Sequence, residues 1–432
     1  MAPEGQSKTA VAGRMEAGSS WISTSQSPDI SDPRRWRILA LTCLSVVFAL
    51  TTWFSATAII PELTRVYGLS AAQSAWLTNG VQIGFVLGAV AASFVNLPDL
   101  VPIARLVALS ATLAALANAV LLFAPDASVM IAARILTGIA LAGVYPPVMK
   151  FISTWFKRGR GFALGAVIGA LTLGSATPHL VRALTSGIDW RAVVIASSLM
   201  TLFAGLVFLL IAKDGPYPFS KAVFSPRQLG AVLKNKPLML TNLGYFGHMW
   251  ELYAVWGWFL AFSTAAMEHQ GIATVPGSSL VTFSVVAAGT AGCLLGGVLS
   301  DRIGRCATTI LMLVVSGLAA ALIGFTFEGP FWLFLLVAIV WGIFVVGDSA
   351  QFSAAVTEVS DPRYVGTALT LQMGIGFALT VVAIAVTPLV AEALGSWRWT
   401  FLILLPGPVI GILAMLALRR HPEAEKLAGG LR

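Results

Sequence analysis

The sequence predicts an all-α integral membrane protein whose twelve transmembrane helices form two six-helix bundles. Its 432 residues are 57% hydrophobic and only 11% charged, with a mean hydropathy of +0.85, whereas about a quarter of the residues in a soluble domain are charged. Apolar runs of about 20 residues, the length that crosses a bilayer, follow one another after residue 37. Basic residues return between alternate runs, as they do in cytosolic loops of membrane proteins.

The apolar runs give twelve candidate spans in two sets of six. The first set covers residues 38–60, 73–94, 103–123, 128–152, 161–184 and 191–211. The second set covers residues 238–265, 277–299, 307–327, 331–356, 367–389 and 399–418. Residues 213–237 between the sets are rich in lysine, arginine and proline, which predicts a polar linker. Ser225 and Pro226 predict the start of a short surface helix in this linker that ends at Asn235.

These patterns divide the chain into five regions. We expect a disordered cytosolic tail (1–36), a first bundle (37–212), a cytosolic linker (213–237), a second bundle (238–418) and a cytosolic C-terminal tail (419–432). The basic loops place both termini on the cytosolic side of the plasma (cell inner) membrane. The lipid bilayer is the expected partner, and we expect a monomer.

The composition argues against several other classes of protein. The net charge of +8 is spread between apolar runs rather than gathered on one surface, so we expect no nucleic-acid partner. Three scattered cysteines provide neither a disulfide framework nor a metal site, and the sequence has no phosphate-binding Gly-x-x-x-x-Gly-Lys loop. We therefore expect no cofactor and no metal. A solute moved across the membrane would be driven by an ion gradient.

The most specific motif lies between spans eight and nine. It reads Gly-Val-Leu-Ser-Asp-Arg-Ile-Gly-Arg over residues 297–305 and resembles the cytosolic loop signature of the major facilitator superfamily. The resemblance implies a transporter with two six-helix bundles and a loop that holds the cytosolic side shut in one conformation. Its gating residues here are Gly297, Asp301, Arg302, Gly304 and Arg305.

Two further segments are similar to the same superfamily, and a third departs from it. Span four has Arg134 followed by Gly138, like the superfamily's buried arginine motif, and an arginine at this depth needs partners. Span five is rich in glycine, like the fifth helix associated with antiporters, although close packing of helices also uses such glycines. The loop between spans two and three lacks the expected Gly, Asp-Arg and Gly-Arg residues. The gating motif of the first half is therefore degraded, with Asp99 and Arg105 at altered spacing as the candidates to replace it.

Ionisable residues inside the spans are the candidates for proton coupling, because charged groups there are expensive. In span seven, His248 and Glu251 share one helical face with Gly244 and Gly247. This pair is predicted to bind and release a proton, or to fix helix packing by hydrogen bonding. Asp348 in span ten is a second proton candidate, or a counter-ion for Arg134 if the two helices meet.

A set of polar and aromatic residues inside the spans is predicted to bind the solute, although each member also suits hydrogen bonding between helices. The set comprises Arg134, Asn79, Gln82, Tyr145, Tyr245, Trp250, Gln351 and Gln372. Tyr145 precedes two prolines that predict a kink in span four. Most of the thirteen tryptophans, Trp53 among them, are interpreted as anchors at the membrane surface.

These features predict a secondary active transporter that is not an enzyme. Arg134, His179 and Arg182 favour proton-coupled uptake of a small organic or inorganic anion. The aromatic span seven and the glycines of span five favour the alternative, proton-driven efflux of a lipophilic compound. A non-transporting membrane sensor is more remote, because the sequence has no sizeable soluble output domain. An enzyme acting on lipid would need a nucleophile with its base, and no Ser/His/Asp constellation is evident.

Overall fold

The fold is described from a computed structural model of the chain. The structure describes residues 32–95, 97–156, 159–185, 189–213, 215–217, 226–361 and 363–431. The predicted disordered tail lies outside the described residues up to position 31. The first helix begins at Arg34, three residues before the predicted boundary.

Each half of the chain forms six long helices, which confirms the predicted fold class. In the first half, spans one to six are Arg34–Ala49 with the 3₁₀ turns Leu50–Thr52 and Thr57–Ile59, Ala71–Phe94, Ile103–Ala119, Ala127–Leu141 with Tyr145–Ser153, Arg160–Leu184, and Arg191–Ile211. In the second half, spans seven to twelve are Lys236–His269, Val275–Ile303, Arg305–Leu322, Phe331–Phe344 with Ser349–Val359, Val365–Leu394, and Thr400–Leu404 with Pro406–Arg419.

Eleven of the described helices are long and apolar enough to cross a membrane. Span seven is the remaining long helix, with 34 residues. It does not reach the same mean hydropathy because Tyr, Trp, Gly, His and Glu interrupt its apolar residues. Most of its side chains are buried inside the protein, so lipid does not have to solvate these polar groups.

The helices alternate in direction, so the spans share two ends. We call the end where span one begins and span twelve ends the terminal face, and the opposite end the distal face. The linker helix Leu229–Lys234 contacts spans seven and eleven and therefore lies at the terminal face. The short helix Ile60–Tyr67 follows span one at the distal face.

Three spans are interrupted near their middle. Span one changes to 3₁₀ turns after Ala49, span four breaks between Leu141 and Tyr145, and span ten breaks between Phe344 and Ser349. Prolines at positions 146 and 147 account for the break in span four, because proline cannot donate the helical hydrogen bond. Spans four and ten occupy equivalent positions in the two halves. Irregular backbone at membrane depth is found where it is buried in protein or lines a transport route.

Glycines bring spans two and four together in the first half, and spans eight and ten together in the second. Gly138 of span four lies directly against the Val81 carbonyl. In the equivalent place, Gly292 of span eight lies against the Ile343 carbonyl of span ten. A side chain at either position would overlap backbone, so only glycine permits this approach. The two halves meet mainly along spans five and eight and along spans two and eleven.

The close approach at Gly292 gives a prediction about stability. We expect Gly292→Val to lower the stability of the folded protein by more than about 2 kcal/mol, because the new side chain must displace span ten. The measurement is the apparent Tm of the purified protein in detergent. Gly374→Val is the matched control, because a Cβ at Gly374 meets nothing within 4 Å. Equal Tm values for the two variants would contradict this account of the packing.

Candidate functional site

A buried histidine–carboxylate pair joins spans seven and ten. The His248 Nδ1 atom lies 2.9 Å from the Asp348 Oδ1 atom, and both side chains are 1% exposed. The His248 Nε2 atom lies 2.8 Å from the Ser349 hydroxyl, which donates or accepts depending on the tautomer. The contact between His248 and Asp348 lacks hydrogen-bond geometry. The Asp348 Oδ2 atom also has no hydrogen-bond partner among the described residues. This carboxylate is therefore buried with fewer hydrogen bonds than it can accept.

Glu251 has its own partners rather than His248. The Trp341 indole N–H donates to its Oε1 atom at 2.7 Å, and the Ser316 hydroxyl donates to its Oε2 atom at 3.0 Å. The sequence correctly places His248 and Glu251 on one face of span seven. The structure, however, directs His248 to span ten alone and Glu251 to spans nine and ten. The predicted pair is therefore two separate groups, one turn apart.

Asp348 lies at the break in span ten, directly before the helix Ser349–Val359. Its partner is His248, so the expectation that it neutralises Arg134 is wrong. The two residues belong to different halves, and the Arg134 guanidinium is enclosed within the first half.

Arg134 uses all five of its guanidinium N–H groups inside the first half. Its Nη2 atom donates to the carbonyls of Thr52 and Trp53 at 2.7 and 2.6 Å. Its Nη1 atom donates to the Asn118 Oδ1 atom at 2.8 Å and to the Ser55 hydroxyl at 3.3 Å. Its Nε atom donates to the Leu77 carbonyl at 3.3 Å. The interruption of span one frees these carbonyls, and the arginine satisfies them. Its predicted contact with solute stays a prediction.

The other predicted solute-binding residues are dispersed. Asn79 and Gln82 are buried on span two, and the Asn79 Nδ2 atom donates to the Val381 carbonyl of span eleven at 3.1 Å. Gln372 is buried on span eleven, and Tyr245 lies against Gly376 of the same span.

Three of the predicted residues have different surroundings. The Trp250 indole N–H donates to the Ile403 carbonyl, so this side chain faces span twelve rather than the first half. The Gln351 Oε1 atom accepts a hydrogen bond from Arg305 near the terminal face. Tyr145 begins the second part of span four and is partly exposed.

Six aromatic side chains meet where the two halves face each other. We call them the interface ring cluster: Trp53, Phe54, Phe85, Tyr253, Trp256 and Phe377. The first three belong to the first half and the others to the second. The interpretation of Trp53 as a membrane-surface anchor is wrong, because it is only 1% exposed and its ring lies 4.9 Å from Phe85. Sequence position near the end of span one suggested the surface, but the break in that span turns the indole inward.

The loop between spans eight and nine brings its motif residues against span five at the terminal face. Gly297 and Asp301 lie nearest to Gly161, at the beginning of span five. Gly304 separates the two helices with a φ of 89°, a conformation that favours glycine. The Asp301 carboxylate thus lies beside a helix N-terminus of the opposite half. Arg302 points outward and is exposed.

Arg305 is the motif residue with the most contacts. Its Nη2 atom lies 3.0 Å from the Glu358 Oε1 atom of span ten, and its Nη1 atom donates to Gln351 at 2.7 Å. The other oxygen of Glu358 accepts a hydrogen bond from the Ala428 backbone N–H at 3.0 Å. The C-terminal segment is held there by the buried side chains of Ala424 and Leu427.

In the loop between spans ten and eleven, hydrogen bonds from Arg363 lower the pKa of the Asp361 carboxyl to about 2.

Arg182 forms an ion pair within the first half and a hydrogen bond to the second half at the distal face. The Arg182 Nη2 atom of span five lies 2.7 Å from the Glu62 Oε1 atom, and its Nη1 atom donates to the Ser279 hydroxyl of span eight at 2.6 Å. His179 is buried one turn earlier on span five, with no described partner for its Nδ1 atom. Glu62 therefore neutralises Arg182, one of the two residues at this face that were expected to attract an anion.

Within the described ranges, no group of three or more His, Cys, Asp and Glu side chains could hold a metal ion.

Comparison with known proteins gives consistent family matches. The family model of the Major Facilitator Superfamily matches residues 42–288 and 252–431. The chain is 30% identical over 183 residues to the MFS-type transporter pytF of Aspergillus terreus, covering 41% of this chain and 58% of that protein. It is 26% identical over 199 residues to the probable sulfoacetate transporter SauU of Cupriavidus necator, covering 42% of this chain and 45% of that protein. The matches therefore span about half the length of these curated relatives.

A solved structure supports the same fold. The chain resembles a bacterial homologue of the human lysosomal transporter Spinster in an inward-facing, unoccupied conformation. The TM-score is 0.68 at 16% sequence identity, and the match covers 90% of this chain and 98% of the other. At this identity the likeness concerns the fold alone.

The contacts of Arg134 predict a stabilising role. We expect Arg134→Gln to lower the stability of the protein by about 3 kcal/mol or more, because a glutamine cannot replace five donors and leaves buried carbonyls unpaired. The measurement is the apparent Tm in detergent. Arg420→Gln is the control, since Arg420 is exposed at the end of span twelve. A variant with unchanged Tm but weakened solute binding would instead make Arg134 part of the solute site.

Proposed function

The chain belongs to the Major Facilitator Superfamily, and from this we propose that it transports a small solute in exchange or together with protons. The route lies between the two six-helix halves, which rock to expose it to either side of the membrane in turn. The observation that carries the proposal is the buried His248–Asp348 pair beside the break in span ten.

Proton binding at this pair changes a buried charge. With neutral histidine and protonated aspartate the site carries no net charge, and one further proton gives it a net charge of +1. A charge buried in a low-dielectric environment is expensive unless it is paired or exposed to water. Gaining or losing a proton therefore biases the halves toward the conformation that best solvates the pair. Such a bias is what coupling between proton and solute requires.

Glu251 is the second proton-coupling group in this proposal. Its carboxylate accepts hydrogen bonds from Trp341 of span ten and Ser316 of span nine. A proton at this carboxyl would weaken the interaction with at least one of these donors. Protonation would then alter how span seven is connected to spans nine and ten. Span seven carries both groups, so a shift of this helix links their protonation states.

The surroundings of the interface favour an apolar or weakly polar solute. All five Arg134 donors are engaged, and Arg182 is paired with Glu62. Two of the cationic residues that favoured an anion are therefore already neutralised or enclosed. The interface ring cluster instead offers apolar surface. The lipophilic solute, the alternative suggested by the sequence, is thus the solute class we propose.

An organic anion remains the second candidate, and one observation favours it. The similar protein of Cupriavidus necator is named a probable sulfoacetate transporter. Uptake and efflux are distinguished by the sign of the proton flux that a solute produces, so the experiment below tests direction and solute class together.

The proton-coupling groups give a direct prediction. In proteoliposomes loaded with a pH-sensitive dye, we expect a lipophilic amine or neutral ring compound to change the internal pH. Glu251→Gln and Asp348→Asn should each abolish this change, because neither side chain can then titrate, while solute exchange without a gradient persists. Glu268→Gln is the matched control, at the exposed end of span seven.

The outcomes separate the candidates. Proton flux that small carboxylates or sulfonates elicit, and apolar compounds do not, would favour the anion. Unchanged proton flux in both variants would remove Glu251 and Asp348 from the coupling mechanism. Solute binding without any flux would support the sensor alternative.

Labelling of a cysteine placed in the linker from the cytosolic side tests the proposed topology. In this topology both termini are cytosolic and the protein lies in the plasma membrane.

The loop between spans eight and nine is proposed to gate the terminal face. Gly297 and Asp301 contact the beginning of span five, while Arg305 fixes the loop to Glu358 and Gln351 of span ten. Opening this face requires the first contact to separate. The second contact keeps the loop rigid, so that the movement of span ten is passed to it. The hydrogen bond from Ala428 to Glu358 extends this network to the C-terminal segment.

The gate gives a prediction that separates two neighbouring arginines. We expect Arg305→Gln to lower the maximal transport rate roughly fivefold or more, because coupling worth about 1–3 kcal/mol shifts a conformational equilibrium by such factors. The solute concentration for half-maximal rate should change little. Arg302→Gln is the comparison variant: the sequence also assigns Arg302 to the gate, but its side chain is exposed in the same loop, so we expect its replacement to lower the rate less. Equal losses in both variants, or a loss of solute affinity alone, would contradict the assigned gate.

A further inference from the structure

The interface ring cluster joins the two halves near the middle of the protein through closely spaced rings. Within the first half, the Trp53 and Phe85 centroids lie 4.9 Å apart. Across the halves, the Phe85 and Phe377 centroids lie 4.8 Å apart. Tyr253 lies 5.4 Å from Phe377 and 5.5 Å from Trp256. These are the separations of stacked and edge-on aromatic pairs. All six side chains are buried.

Several polar atoms around these rings have no hydrogen-bond partner among the described residues. They are the indole nitrogens of Trp53 and Trp256, both side-chain amide atoms of Gln82, and the Asn79 Oδ1 atom. Leaving one such buried group unpaired costs about 1–3 kcal/mol. Buried polar groups are usually paired, so several unpaired ones at one interface need an explanation. A solute that supplies the missing partners provides one.

The helical position of Gln82 directs its amide to this interface. Thr78, one turn before it on span two, lies against Gly257 of span seven. The methyl carbon of Thr78 would be 3.6 Å from a Cβ added at Gly257. Phe85, one turn after it, contacts Trp53 and Phe377. Residues three and four apart share a helical face. Gln82 is therefore on the face that meets spans one, seven and eleven, between two residues that touch them.

Asn79 uses one of its two amide atoms for helix packing in the same place. Its Nδ2 atom donates to the Val381 carbonyl and so connects span two with span eleven, while its Oδ1 atom has no partner among the described residues. Gln82 is one turn away and fully buried, yet neither of its amide atoms makes a hydrogen bond to a described residue. Both amide atoms of Gln82 are therefore available to a solute, whereas only the oxygen of Asn79 is.

The unpaired atoms form a mixed set without charge. The two indole N–H groups and the Gln82 amide nitrogen donate hydrogen bonds, whereas the Gln82 and Asn79 oxygens accept them. Arg134 contacts Trp53 through the backbone carbonyl, and all its donors are engaged within the first half. The set therefore suits a flat group that carries both donors and acceptors but no net charge.

We propose that the interface ring cluster and Gln82 bind the flat heteroaromatic part of the transported solute, with Gln82 pairing to an amide-like donor–acceptor edge. This inference rests on the proposed function, in which the interface is the transport route. When the halves separate, the rings lose their contacts across the interface, and a flat solute between them restores stacking to both sides. A carboxamide matches a lactam edge with two parallel hydrogen bonds, and the indole groups donate to further acceptors.

The test measures binding without any proton gradient. Purified protein in lipid nanodiscs is dialysed against 2-quinolone, which has a lactam edge, and against naphthalene, which has similar rings and no hydrogen-bonding group. Empty nanodiscs correct for partitioning into lipid. We expect 2-quinolone to bind about tenfold more tightly than naphthalene, because two hydrogen bonds of typical strength give about that factor. Benzoate reports on an anion site.

Gln82→Met is the decisive variant, because it keeps the length of the side chain and removes the amide. We expect it to lose the preference for 2-quinolone and to bind naphthalene within about twofold of the wild type, since only the hydrogen bonds are lost. Leu87→Met is the matched control, on an exposed position of the same helix. Trp53→Phe keeps an aromatic ring, though a smaller one, and removes one donor. It should therefore lose part of the preference, and it provides an independent check if Gln82→Met does not fold.

The outcomes distinguish this inference from the proposed function. Equal binding of 2-quinolone and naphthalene by the wild type overturns the inference, as does a preference that survives in Gln82→Met. Tighter binding of benzoate than of 2-quinolone overturns it in favour of an anion site. The expected binding together with proton flux that does not depend on Glu251 or Asp348 supports the inference and contradicts only the proposed coupling.

Discussion

The Arg134 guanidinium and the interrupted backbone of span one stabilise each other, and the arrangement of the first half depends on that interaction. The change to 3₁₀ turns after Ala49 leaves carbonyls without their helical donors in a region without water. Arg134 supplies those donors from span four through its Nη2 atom. Its Nε and Nη1 atoms donate to residues of spans two and three. Its charge is solvated by carbonyl and amide oxygens rather than by a carboxylate. The same contact fixes the backbone of Trp53, whose indole enters the interface ring cluster.

The two halves share a packing plan but use their buried charges differently. Glycines bring spans two and four together in one half, and spans eight and ten in the other. Spans four and ten are both broken. In the first half, Arg134 is enclosed by carbonyl and amide oxygens and holds helices together, while the buried His179 and Arg182 lie nearer the distal face. In the second half, the buried ionisable groups include His248, Asp348 and Glu251. This difference is the basis of the role that we propose for the second half in proton coupling.

The contacts between the halves are of a kind that can be broken and reformed. They include stacked rings near the middle, hydrogen bonds from Asn79 to Val381 and from Arg182 to Ser279, and a carboxylate beside a helix N-terminus at the terminal face. Each is worth on the order of 1–3 kcal/mol, because it is an aromatic pair, a single hydrogen bond or a helix-end interaction. Within each half, by contrast, glycine-mediated packing brings backbones into direct contact. The halves therefore move as units when an inter-half contact is exchanged for a bound solute.

The sequence by itself determined the twelve spans, their division into two sets and the linker helix. Each follows from short-range properties: the apolar length that crosses a bilayer and the placement of basic and turn residues. Helical periodicity also placed His248 and Glu251 on one face of span seven. It did not reveal that His248 meets Asp348 while Glu251 meets Trp341 and Ser316. Only the tertiary structure decided those partners, the enclosure of Arg134 and the inward turn of Trp53, because a helical pattern fixes which side chains share a face but not which helix lies opposite them.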